Sequence, residues 1–227
     1  SGIMDLVTES FPDLKIARIS INNRGGDNLV AIVNDAVVFR FPKSKEAENA
    51  MKNEIRLIHI LKDFPVRVPE YRYFPKAGDL FAGYPMIPGA PLNEASTIGR
   101  GMMKDILAAL NYLRNFGKGA ARESGIPIHD AASWIKRQGD ILARFQESLS
   151  EITGKGFFEE LENNLNVSLL EMKEGCLSLV HGDMYRGNVL ISRRHDSLNG
   201  IIDWGDALYG DYAFDIAAVT MDFAPKY

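Results

Sequence analysis

Apolar and polar positions alternate over residues 15–22 and 29–34 with the period of two expected of half-buried strands. The five residues between these runs, Asn23-Arg24-Gly25-Gly26-Asp27, read as a loop, and Asn34-Asp35 suits a tight hairpin turn into a third strand over 36–41. Pro42 stops that strand. Ser44 then offers an N-cap for a helix over 45–62, with Glu46 and Glu48 in its first turn, where the helix dipole favours acids. Pro65 and Pro69 bracket a loop, followed by extended segments over 70–74 and 80–87 around a turn at 76–79, and Pro88-Gly89-Ala90-Pro91 reads as a linker. Beyond it the period lengthens to that of helices over 99–116, 131–148 and 156–172. Short strands are predicted over 177–181, 189–192 and 200–204, and a closing helix over 211–222. The pattern predicts an α+β chain: a small antiparallel β lobe with one helix over 1–88, joined to a mostly helical lobe over 89–227.

Composition narrows the class. With 46% hydrophobic and 25% charged residues the 227-residue chain lies near the globular average, and no apolar run reaches the roughly 20 residues of a membrane span. One cysteine, Cys176, cannot form an internal disulfide and suits a reducing cytoplasm; it reads as core. Ser1-Gly2 ahead of Met4 has the look of a tag remnant. A net charge of −4 without a Lys/Arg cluster argues against a nucleic-acid binder. The charge is uneven: 195–225 holds six Asp (196, 203, 206, 211, 215 and 222) and no Lys or Arg. Interleaved with Ile201, Ile202, Trp204, Phe214, Ile216 and Val219, these carboxylates belong to a folded segment and suggest a divalent metal, a cationic ligand, or both.

Three constellations carry chemistry. On the 45–62 helix, Ala47, Met51, Ile58 and Leu61 form one apolar stripe, and Glu54 falls near its centre. A carboxylate facing a core needs a cation, and the preceding strand supplies Arg40, with Lys43 just beyond; the alternative is that Glu54 reaches the lobe edge. Strand alternation places Arg40 and Lys43 on opposite faces, so Arg40 is the expected partner. Second, His181-Gly182-Asp183-Met184-Tyr185-Arg186-Gly187-Asn188 leaves a buried strand. An Asp followed five residues later by an Asn combines a base with a neutral oxygen ligand, as phosphoryl transfer requires. Third, Asp203 ends an apolar strand in Ile201-Ile202-Asp203-Trp204-Gly205-Asp206 and can present a metal-binding carboxylate, the alternative being an ordinary turn Asp.

In this order and spacing, Phe39-Arg40-Phe41-Pro42-Lys43, Glu54, 181–188, 201–207 and Gly210-Asp211 through Asp215 resemble the aminoglycoside phosphotransferase family, small-molecule kinases with the two-lobed protein-kinase fold. The first stretch and 81–89 look most like its 2″-type members. The resemblance implies Asp183 as catalytic base, Asn188 and Asp203 as Mg²⁺ ligands, His181 as a brace of the catalytic loop and Asp215 as a tie for loop backbone. It implies a hinge strand over 80–87 that holds the nucleobase, with Tyr84, Met86 and Ile87 beside it. Arg40 stands where the family carries its phosphate-gripping lysine; with Glu54 and Lys43 it completes the expected phosphate grip. Gly25 and Gly26 occupy the place of a phosphate-covering loop, although a plain hairpin loop reads equally well from the residues alone. Gly117-Lys118-Gly119 and Gly154-Lys155-Gly156 lack P-loop spacing.

The expected activity is transfer of the γ-phosphate of ATP or GTP, with Mg²⁺, to a hydroxyl of a small cationic molecule, first an aminoglycoside. Alternatives are a macrolide, choline-like or sugar-amine acceptor, a catalytically idle nucleotide-binding regulator, or a metal-dependent hydrolase. The expected state is a monomer or weak dimer, with neither nucleic acid nor membrane as partner. Relatives of this family usually continue with further helices after the segment matching 211–222, so a truncated chain or a compact member is expected. Met102, Met103, Leu107, Leu110 and Trp134 read as helix core.

Overall fold

The computed structural model describes residues 2–76, 81–92, 98–192 and 197–223. A short helix, α1 (Ile3–Ser10), precedes an antiparallel sheet of β1 (Ile19–Asn22), β2 (Asn28–Val33), β3 (Val37–Pro42) and β4 (Ala82–Pro85), ordered β1-β2-β3-β4. The turn between β2 and β3 uses Asn34 and Asp35 at φ of 54° and 53°, the left-handed pair that a two-residue hairpin requires. One face of the sheet packs Ala31, Val33, Val37 and Phe39 against Val7 of α1 and Phe81, with Phe11 stacked on Phe39 at 5.4 Å. The other side carries α2 (Lys45–Ile60), whose Ser44 hydroxyl accepts the Ala47 N–H at 3.1 Å. Its buried residues are Ala47, Met51, Glu54, Leu57 and Ile58, so the carboxylate does lie within the apolar stripe.

The second lobe is built on α3 (Arg100–Arg114), α4 (Lys118–Ser124), α5 (Ala131–Thr153), α6 (Lys155–Leu170) and α7 (Ala213–Phe223). Two small antiparallel sheets run beside them: β5 (Ala90–Pro91), β7 (Val189–Ile191) and β8 (Leu198–Ile201) in the order β5-β7-β8, and β6 (Leu177–Val180) with β9 (Leu208–Asp211). Their hairpin-like ends converge where β6 leads into 181–188 and β8 into Asp203. The main core gathers Met102, Ile106 and Leu113 of α3, Leu179 of β6, Ile191 of β7 and the fully buried Trp204. Among the described residues no helix is long and apolar enough to cross a membrane.

The expected α+β, two-lobed layout holds, with local corrections. The predicted 88–91 linker contains β5, which pairs with β7, because Leu92 N–H and the backbone of 90–91 find acceptors there. The segment 70–74 is not a strand but a single bridge from Tyr73 to Gly83. The turn at 76–79 lies, beyond Lys76, outside the described residues, as does Leu80. α1, α4 and β9 were not expected: α1 and α4 are short and lack side-chain caps, and β9 is defined by its pairing with β6. Leu107 is 57% exposed on α3 rather than core. Trp134 is buried, as expected.

Candidate active site

The central feature of the site begins on β3. Val38 and Arg40 share one strand face, and Arg40, buried at 5% exposure, crosses to the fully buried Glu54 of α2. Its Nη1 donates to Glu54 Oε1 at 2.9 Å and Oε2 at 2.7 Å. Its Nη2 donates to Asp203 Oδ1 at 2.6 Å, joining the two lobes through one guanidinium. Tyr71 closes the group: its hydroxyl donates to Glu54 Oε1 at 3.0 Å and accepts from Arg40 Nη1 at 3.2 Å. Burial pushes Glu54 upward in pKa and the guanidinium beside it opposes that shift; the ion pair is the state that the geometry supports.

The catalytic-loop candidate is equally well organised. β6 delivers a fully buried His181 whose Nδ1 accepts the Asp183 N–H at 3.2 Å, so Nε2 carries the proton and donates to the Ile202 carbonyl at 3.1 Å. Burial lowers the imidazole pKa to about 4 and keeps it neutral. Asp215, at the start of α7, accepts the backbone N–H groups of His181 at 2.7 Å and Gly182 at 3.1 Å; burial raises its pKa to about 6. Gly182 adopts φ +85°, and a Cβ there would collide with the Asp206 carbonyl. Asn188 donates Nδ2 to Asp183 Oδ2 at 2.9 Å and to the Asp183 carbonyl at 3.0 Å, which spends both amide protons and leaves Oδ1 as an acceptor.

These parts face a cleft of about 270 Å³ lined by Gly25, Gly26, Asp27, Arg40, Asp183, Asp203, Asp206 and their neighbours. Its carboxylates repel one another: partial burial, then Asp206, raise the Asp183 pKa, and burial, then Asp203, raise that of Asp206. Asp203 sits at φ +65° with its side chain 48% exposed. Hard oxygen ligands with excess negative charge suit Mg²⁺. Among the described residues no group of three or more His, Cys, Asp or Glu side chains could hold a metal ion.

A family model described as the phosphotransferase enzyme family matches residues 18–226. The chain belongs to that family. No curated protein matches it in sequence. Among solved structures, a GDP and kanamycin complex of an APH(2″) enzyme superposes with a TM-score of 0.82 at 24% identity, covering 96% of this chain and 77% of that one. A macrolide 2′-phosphotransferase from Brachybacterium faecium superposes at 0.76 and 21% identity, covering 97% and 76%. The streptomycin–ATP ternary complex of another APH(2″) enzyme superposes at 0.66 and 17% identity, covering 95% and 74%. Likeness at these identities establishes a shared fold.

Within this family member, the structure brings Arg40, Glu54, Asp183, Asn188, Asp203, Gly25 and Gly26 to the same region. Lys43 points elsewhere: its Nζ donates to the carbonyls of Asn23 and Gly25, so it braces the loop from an exposed position. Tyr84 is buried behind the ion pair, its ring 5.1 Å from that of Tyr71. Ile87 is buried and Met86 is 36% exposed, with the Met86 N–H bonded to the Ala36 carbonyl at 2.8 Å. Neither lines the acidic cleft. Sequence reasoning missed Tyr71, which it placed in the extended segment over 70–74 without a role. It also named Asp206 only among the six Asp of 195–225, although its position three residues after Asp203 was a clue.

Proposed function

We propose that the chain transfers the γ-phosphoryl group of ATP or GTP to a hydroxyl of a small cationic acceptor, foremost an aminoglycoside. The observation that carries this reading is Arg40, bonded at once to Glu54 of α2 and to Asp203 across the cleft, with Asp183 on the same cleft wall. Phosphoryl transfer depends mainly on positioning and charge neutralisation, and these residues supply both. Asp183, oriented by Asn188, accepts the proton of the attacking hydroxyl; burial and the neighbouring Asp206 raise its pKa, which strengthens it as a base. Arg40 offsets phosphate charge, and Glu54 holds it in place. Asn188 and Asp203 would hold Mg²⁺, which supplies further charge neutralisation on the phosphates. The backbone of Gly25 and Gly26 covers the phosphates, with Lys43 as the brace of that loop. Met86 and Ile87, after β4, form the nucleobase side, with Tyr84 as its inner wall, and we place the lobe boundary at 88/89.

The negative potential of Asp27, Asp183, Asp203 and Asp206 suits an amine-bearing acceptor. The macrolide 2′-phosphotransferase fold likeness keeps an aminated macrolide as the second reading. A coupled ADP/GDP-release screen over aminoglycosides, macrolides and amino alcohols with both nucleotides tests the assignment. Turnover with an aminoglycoside supports it, and Asp183→Asn should then cut kcat by about 10³-fold or more while changing nucleotide affinity less than about threefold. Acceptor-independent hydrolysis alone, or an Asp183→Asn enzyme of normal rate, would sink it.

A further inference from the structure

An arginine in place of a phosphate-gripping lysine raises a geometric problem. A guanidinium beside a carboxylate favours the fork-to-fork arrangement, in which two nitrogens bind two oxygens. In a buried pair that arrangement would turn the whole fork onto Glu54 and withdraw it from the cleft. The structure has a different arrangement. Both Glu54 oxygens accept from Nη1 alone, and Nη2 remains aimed at Asp203 on the cleft side.

Two neighbours bear on the difference: Asp203 pairs with Nη2 on the cleft side, and Tyr71 sits at Nη1. Its hydroxyl completes a closed ring of hydrogen bonds: Arg40 Nη1 donates to Tyr71, Tyr71 donates to Glu54 Oε1, and Nη1 donates to Glu54 directly. The phenol thus takes a share of Oε1 and anchors Nη1. With Nη1 on both oxygens and the phenol on Oε1, the carboxylate has partners at each oxygen without a second guanidinium nitrogen. The ring itself is fixed. Its edge meets Tyr84 at 5.1 Å and 75°, and the flanking Arg72 and Tyr73 N–H groups both bond the Gly83 carbonyl of β4. The hydroxyl is therefore held by the same sheet that carries Arg40.

We propose that Tyr71 is a positioning residue that holds Arg40 in one-nitrogen engagement with Glu54 and so keeps Nη2 on the cleft side, paired with Asp203 and facing bound nucleotide phosphate. This deepens the kinase reading and rests on it. The proposal makes a specific claim about Tyr71→Phe, which retains the ring and its packing but loses the hydroxyl. In that variant Arg40 should turn a second nitrogen onto Glu54.

The test measures Mg²⁺-nucleotide affinity by titration calorimetry for four proteins: wild type, Tyr71→Phe, Glu54→Gln and the double variant. Tyr71→Phe should weaken binding about tenfold in the wild-type background and less than twofold in the Glu54→Gln background, where no carboxylate competes for the fork. A purely structural tyrosine would give equal penalties in both backgrounds, and that result overturns the proposal, as does a Tyr71→Phe protein that binds like wild type. A crystal structure of Tyr71→Phe gives a reading independent of affinity: two Arg40 nitrogens on Glu54 support the proposal, and an unchanged Nη2 position overturns it even where Glu54→Gln has lost binding. Failure of the kinase reading is separately visible as a wild type that binds Mg²⁺-nucleotide yet transfers no phosphate to any acceptor in the screen, whereas a wild type that binds no nucleotide overturns both.

Discussion

Arg40 and Glu54 are costly to bury singly and tolerable only as a pair, so their removal is informative in two readouts. Arg40→Ala leaves a fully buried carboxylate without its cation and should lower unfolding free energy by about 3–5 kcal/mol in urea titrations. It should also abolish turnover. Lys43→Ala, which removes contacts to the exposed Asn23–Gly25 loop carbonyls, should cost less than about 1 kcal/mol and reduce turnover only severalfold. The reverse outcome, an active Arg40→Ala and an inactive Lys43→Ala, would move the phosphate grip to Lys43. Sequence pattern reached Arg40 and Glu54 because each lies in a regular element, where period two and period 3.6 say which way a side chain points. Tyr71 lies in a segment read as extended that forms only a single bridge, so strand period did not say which way its side chain points.

At the scale of elements, the junction of β6, the 181–188 loop and α7 holds the catalytic candidate in place. Asp215→Ala would orphan the His181 and Gly182 N–H groups and should cost roughly 2–4 kcal/mol, read by chemical denaturation. The two titrating groups here act in opposite senses. His181, about 4 when folded against an ordinary 6.5, gives stability that is complete above pH 6.5 and is lost as pH falls toward 4. Asp215, about 6 when folded against 3.8, gives stability that is complete below pH 3.8 and is lost as pH rises through 6. Asp215→Asn removes the opposing contribution, so stability should fall more steeply between pH 6.5 and 4 than in wild type. An unchanged or shallower slope in urea midpoints across that range would contradict the assignment.

The helices and strands with strong periods, β2, β3, α2, α3 and α5, were legible within a few residues at their starts. The unforeseen elements share one trait. α1 spans 8 residues and α4 spans 7, too few turns to stand without tertiary packing, and β9 exists as a partner of β6. β8 was expected over 200–204 but runs over Leu198–Ile201, since pairing with β7 ends there and Asp203 turns left-handed.

For the whole molecule, the Arg40–Asp203 contact spans 163 residues and links the two lobes at the cleft. Ligand binding at that junction should stabilise the folded chain as a unit. Mg²⁺ with nucleotide at about 100 times its dissociation constant should add about 2.7 kcal/mol, seen as a raised melting temperature. EDTA should remove most of that shift, and Asp203→Asn should abolish its Mg²⁺ dependence. A shift equally large without Mg²⁺ would count against Asp203 and Asn188 as metal ligands.

Local order along the chain was sufficient to predict the four strands of the first sheet, the capped helix, a carboxylate turned into the core and an Asp–Asn loop beside a strand-ending Asp. Each follows from neighbours a few residues apart, and periodicity reports such short-range geometry directly. The ring of Tyr71, Arg40 and Glu54, the acidic cluster of Asp27, Asp183, Asp203 and Asp206, and the reach of Arg40 to Asp203 came from packing. They join segments tens to more than a hundred residues apart, and their distances depend on how the two lobes meet, which no local pattern encodes.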